Sequence, residues 1–188
     1  MPWREINRML IILIYLAFLA CQGQAQAKQK TPNIRNQDEM LETLRRYVQL
    51  RLSNADWKEY SKFITWSDEP SWDCNWVVGR YDIGTPKKDE AKVVVPVVDR
   101  RLGLFCYDFE FKTDPKVVTI NYELIRRPSG WKVNAPIPDY PDVSAEVLIK
   151  SLKASAEDLR EPPERRTQFR TTSQNVAAAL NRAGDSQQ

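Results

Sequence analysis

From Cys74 to Ala135 the sequence is a succession of extended runs joined by connections too short to hold a helix, and this narrows the fold more than any other feature. The runs are CNWVVGRYDI (74–83), AKVVVPVVD (91–99), GLFCYDFEFK (103–112), KVVTINYELIRR (116–127) and GWKVNA (130–135). GTPKKDE, RRL, TDP and PSG connect them. Parallel neighbours need a crossover of about a dozen residues or more, so these lengths predict antiparallel hairpins in a meander. Pro96 has no amide hydrogen for a ladder, which predicts that its strand lies at an edge or bulges there. In 103–112, strict alternation sends Phe105, Tyr107, Phe109 and Phe111 one way and Cys106, Asp108 and Glu110 the other. In 116–127, Val118, Ile120, Tyr122 and Leu124 likewise oppose Thr119, Asn121 and Glu123, giving one apolar and one polar sheet face.

Helical periodicity flanks these strands. NQDEMLETLRRYVQLRL places Leu41, Leu44 and Val48 on one face, with Met40, Tyr47 and Leu52 beside them. Asn36 followed by Glu39 has the form of a capping box. A short second helix is expected from Ser53 or Asn54, lined by Trp57, Tyr60 and Ile64. After PIPDYPD, Ser144 is the candidate cap of a third helix whose apolar side is Val147, Leu148, Leu152 and Leu159. Beyond it, REPPERRTQFRTTSQ is polar and broken by proline, so 160–188 reads as a mostly disordered tail, with a frayed helix over 173–183. The resulting fold class is α+β: N-terminal helices on a curved, cone-like antiparallel meander, with a short C-terminal helix, in one domain over 36–159 behind a flexible lead at 28–35.

The N-terminus carries an export pattern. Arg4 and Arg8 precede the apolar run MLIILIYLAFLA, which is too short for the roughly 20 residues of a spanning helix. Ala25-Gln26-Ala27 offers a cleavage site, making 1–27 a signal peptide. Phe18-Leu19-Ala20-Cys21 instead resembles a lipobox, with Cys21 lipidated after a signal at 1–20. Phe18 and Leu19 depart from that motif, so release is favoured. Both routes deliver the domain to a periplasmic or extracellular space, and the second adds a membrane anchor. Both also leave Cys74 and Cys106 as an even pair, which in an oxidising compartment predicts a disulfide. Closing that loop is worth roughly 3 to 4 kcal/mol in the chain-entropy account.

The chain of 188 residues contains no histidine, which excludes Ser-His-Asp and Cys-His catalysis and every histidine-bearing zinc site. A formal charge of +3 without a dense basic run argues against nucleic acid as a partner. No glycine-rich phosphate loop or metal-ligand spacing appears, so no cofactor and no metal are expected. The acids between Trp66 and Trp76 lack the spacing of a calcium loop.

N-terminal helices, then a sheet whose late hairpin carries VVTINYELIRRPSGWKVNAPIPDY, then the helix SAEVLIKSL, resemble exported bacterial members of the nuclear-transport-factor-2-like superfamily over roughly residues 36–158. The resemblance implies a cavity between helices and sheet, used by non-enzymatic members for ligands, peptides or self-association. Its enzymes work with Asp and Tyr or Asp and His; no catalytic residue is carried over to this chain.

Two uses of such a cavity follow. The first is a non-catalytic binding or interaction domain for a small apolar ligand, peptide or protein partner, or a second copy of the chain, with Trp57, Trp72, Trp76, Phe105, Tyr107 and Phe109 as ligand-binding candidates. The alternative is an isomerase or hydrolase built on carboxylate and tyrosine, for which Asp82, Asp99, Asp108, Tyr107 and Tyr122 are the candidates.

Overall fold

In a computed structural model the described residues are 34–66, 71–89, 92–135 and 138–185. The segment 1–27 expected to be a signal peptide, Cys21 and the lead up to residue 33 lie outside them, and the fold below is that of the compact unit Glu39–Gln188.

Helix α1, Ile34–Leu52, buries Met40, Leu44, Tyr47 and Val48, a stripe spaced i, i+4, i+7, i+8. It is already helical at Asn36, so the capping box expected there does not mark its start. Ile34 and Arg35 contain nothing that breaks a helix, and the helix runs back through them. Its other end is closed by Asn54 at φ 55° and by Ala55 N–H donating to the Leu50 carbonyl at 3.2 Å. Asparagine is among the few residues that adopt this left-handed cap cheaply. Asp56 then caps the single turn α2, Trp57–Tyr60, by accepting from the Lys58 amide at 2.8 Å, and a 3-10 turn, Ser61–Phe63, follows.

The strands are β1 (Cys74–Ile83), β2 (Lys87–Asp89), β3 (Lys92–Cys106), β4 (Phe111–Arg127), β5 (Gly130–Asn134) and β6 (Asp142–Ser144). They form one sheet in the order β5-β4-β3-β1-β6, with β2 paired to β3 beyond the end of β1. The meander is antiparallel as expected, but β6 runs parallel to β1, so the curled half-barrel sheet is mixed. The sequence also misplaces one hairpin. RRL and TDP are not turns: 92–106 is one strand with a register shift between Arg101 and Gly103, and β4 is continuous from Phe111. Gly103 is required here, because a Cβ would stand 2.1 Å from the Lys112 carbonyl oxygen. Pro96 lies in an interior strand rather than at an edge. The chain leaves the sheet at Gly84, whose N–H donates to the Pro96 carbonyl at 2.8 Å, so Pro96 sits in the gap between β1 and β2 where no neighbour needs its missing donor.

Both faces of the sheet are covered. α1 packs with Val78, Val95, Val97, Tyr122, Leu124 and Val133 on one. On the other, Val77 and Leu102 meet α3, Ala145–Glu157, and α4, Pro163–Asp185. Ser144 caps α3 as predicted, accepting from the Val147 amide at 3.2 Å. The tail expected over 160–188 is instead α4, described to Asp185, with Phe169, Thr172, Ser173, Val176 and Ala179 buried. Its stripe is made of small and hydroxylated residues with one ring, which lowers the apolar contrast while keeping helical spacing. Pro163 occupies the first helical turn, where its missing N–H costs nothing. Leu159, expected on the apolar side of α3, lies past the helix end and is 84% exposed.

Candidate functional site

The β3–β4 turn is the local feature on which the site depends. Cys106 and Phe111 end the flanking strands, so Tyr107, Asp108, Phe109 and Glu110 form a turn and not the alternating strand the sequence suggests. The Phe109 amide donates to the Cys106 carbonyl at 2.9 Å, and the Glu110 amide to the Asp108 carboxylate at 3.1 Å. Phe109 takes φ 61°, a conformation costly for a bulky residue unless its surroundings impose it. α4 supplies that constraint. Thr172 donates its hydroxyl to the Phe109 carbonyl at 2.7 Å, Gln168 donates to the Asp108 carbonyl at 2.7 Å, and Phe169 meets the Phe109 ring edge to face at 4.8 Å.

The other side of the turn is tied to β1. The Tyr107 amide donates to the Asp73 carbonyl at 3.0 Å, and Cys74 and Cys106, opposite each other in register, form the predicted disulfide with sulfurs 2.01 Å apart.

Thus held, the turn forms one wall of an open cleft of about 710 Å³, within the size range of small-molecule sites. Phe105, Tyr107 and Phe109 stand on this wall; Trp57, Trp66 and Trp72 face the same space from the helix-to-sheet segment. Trp57 is stacked at a tilt on Trp66 at 5.1 Å and meets Tyr60 edge on at 5.0 Å. Trp72 donates its indole N–H to the Pro138 carbonyl at 3.0 Å, which fixes its plane. Tyr47 and Arg51, one turn apart on α1, line this cleft and a neighbouring one of about 220 Å³. Trp76 belongs to the smaller cleft, under Lys116 at 3.6 Å and Arg101 at 4.9 Å from its ring centre.

Beside both clefts lies a buried charge cluster. Arg51 donates to Asp99 at 3.0 Å and to the Tyr122 hydroxyl. The Asp142 oxygens lie 3.1 Å from Arg51 Nη1 and 3.1 Å from Arg101 Nη2, at ion-pair distance but without hydrogen-bond geometry to either. Two arginines and two aspartates make the cluster formally neutral. Burial pushes the Asp99 carboxyl above the usual carboxylate range, with Arg51 opposing. It lifts the Tyr122 and Tyr47 hydroxyls as well, again against Arg51. Burial works against the Arg51 charge too, but Tyr122, Asp142 and Asp99 outweigh it and hold that charge in place.

Of the ligand-binding candidates, Trp57, Trp72, Phe105, Tyr107 and Phe109 come together on the larger cleft, and Trp76 does not. Of the catalytic candidates, Asp99 and Tyr122 meet at Arg51. Asp82 pairs with Arg80 at 3.1 Å on the surface. Asp108 and Tyr107 are exposed in the turn, Tyr107 by 70%. Glu123, expected to share a polar face with Asp108 and Glu110, pairs instead with Lys92 and accepts from Asn134 at 3.1 Å. Sequence reasoning missed Arg51, Asp142 and Asn75. The one available signal was Tyr47 and Arg51 at i, i+4 on the face of an amphipathic helix that should have been wholly apolar.

No family model, curated protein or solved structure matches the chain. The disulfide is compatible with export. Among the described residues no helix is long and apolar enough to cross a membrane, and no group of three acidic, cysteine or histidine side chains is placed to hold a metal.

Proposed function

We propose that this is a non-catalytic domain, exported to the periplasm or beyond, that binds a small ligand or a partner's apolar segment in the aromatic cleft. One observation carries the reading: eight indole, phenyl and phenol rings from three separate stretches of chain border a single open cleft of about 710 Å³. Rings that only filled a core would leave no such space, and aromatic side chains offer large contact area at low entropic cost. The cavity between helices and curved sheet is also what the likeness to the nuclear-transport-factor-2-like superfamily implies, and membership of it is part of the proposal.

The enzymatic alternative rests on Asp99 and Tyr122. Both are already bonded to Arg51, and a tyrosine hydroxyl lifted above its ordinary range stays protonated at neutral pH and is a poor base. That arrangement favours a charge cluster supporting the fold over an acid-base pair.

Fluorescence titration with Nile red, a neutral solvatochromic dye, tests the binding reading. Saturable binding weakened at least about twofold in Trp72→Ala and Phe105→Ala is expected, since an aromatic contact is worth about 0.5 to 1.5 kcal/mol. Binding that is absent, or indifferent to both substitutions, overturns it.

A further inference from the structure

The cleft's chemistry narrows the ligand further. Among the described residues its rim is uncharged: Asn54, Ser71 and Tyr107 are exposed there and Asn75 is half-buried, and each of these side chains both donates and accepts hydrogen bonds. Among the described residues, the only charged ones lining the cleft are Arg51 and Asp142, which are buried and paired with each other. An anion or a cation entering the cleft therefore meets no uncompensated opposite charge among the described residues. A purely aliphatic chain would cover the rim amides and hydroxyls without returning hydrogen bonds, at about 1 to 3 kcal/mol for each group left unmatched.

Flat rings and bifunctional polar groups side by side fit one class of small molecule. A pyranose presents C–H faces that lie on an aromatic plane and, around its edge, hydroxyls that donate and accept together. The volume has room for more than one such ring, because about 710 Å³ is more than a single sugar fills. We infer that the cleft binds a short neutral oligosaccharide, stacked on Trp57, Trp72 and the Phe105–Tyr107 wall and hydrogen-bonded by Asn54 and Asn75. This inference rests on the binding reading above and names its ligand. It makes the β3–β4 turn part of a recognition surface, and explains why Tyr107 stands 70% exposed on a turn that α4 and the disulfide hold on both sides.

The test is competition against cleft-bound Nile red by cellotetraose, maltotetraose and chitotetraose, with a neutral proline-rich decapeptide in parallel. Displacement by at least one tetrasaccharide is expected, with its affinity reduced about two- to tenfold in Trp72→Ala and in Asn75→Ala, the span given by a stacking or hydrogen-bond contact. Bound dye that no saccharide displaces, or that only the peptide displaces, overturns the oligosaccharide inference while leaving the binding reading intact. Saccharide binding to the protein that is unchanged in both variants overturns it as well, by putting the sugar elsewhere. Failure of the dye itself to bind counts against the underlying reading, and direct calorimetry with the same saccharides then decides the inference.

Discussion

Arg51 is the residue on which the interior depends, because three buried oxygens are arranged around its guanidinium. Removing one partner of a buried ion pair leaves the other charge uncompensated, which typically costs about 3 to 5 kcal/mol. Arg51→Met should lose about that much in urea unfolding. Tyr122→Phe, which removes one hydrogen bond to a charged donor, should lose only about 1.5 to 3 kcal/mol. Asp99 gives the cluster a pH dependence of definite sign. Its folded carboxyl holds a proton more tightly than the unfolded one, so its contribution is fully present below the unfolded value of about 3.9 and lost as pH rises through the raised folded value. The unfolding free energy of the protein minus that of Asp99→Asn should therefore fall as pH rises out of the ordinary carboxylate range. A difference that grows over that window would contradict the assignment.

At the level of elements, α4 is the brace of the cleft wall, since it supplies every side-chain contact that holds the strained Phe109 turn from that side. Phe169→Ala should cost about 3 to 5 kcal/mol as a large-to-small core change. Replacing Cys74 and Cys106 together by serine should cost roughly 3 to 4 kcal/mol, and both losses are measurable by denaturant titration. These two contacts also mark where sequence reasoning succeeded and failed. The disulfide followed from an even cysteine count, and α1, α3 and four of the strands from periodicity. α4 was hidden because its buried stripe is Phe169 followed by threonine, serine, valine and alanine, a pattern with weak apolar contrast. The β3–β4 hairpin was misplaced because CYDFEF alternates like a strand, and only the positive φ of Phe109 turns it. The arginine pair in RRL, which suggested a turn, has Arg101 facing Asp142 and Trp76 within the strand.

For the molecule as a whole, α4 should make 163–185 as resistant to proteolysis as the sheet it covers. Limited trypsin digestion of the oxidised protein is expected to spare Arg166 and Arg170, whereas early cleavage at these residues would restore the tail that the sequence alone suggests. The cleft itself was half legible: clustered tryptophans pointed to it, but Asn75, Asp142 and Arg51 came from three distant segments that the pairing of β1 with β6 and the packing of α1 bring together. The central claim is that this aromatic cleft is a binding surface and not an accident of packing. Indole N–H signals in a ¹H–¹⁵N spectrum test it most directly, because Trp131, packed against the core on the α1 side, does not line the cleft and serves as an internal reference. Saturation with Nile red should shift the indole signals of Trp57, Trp66 and Trp72 and leave Trp131 in place. Shifts confined to Trp131, or none at any indole, would contradict the account.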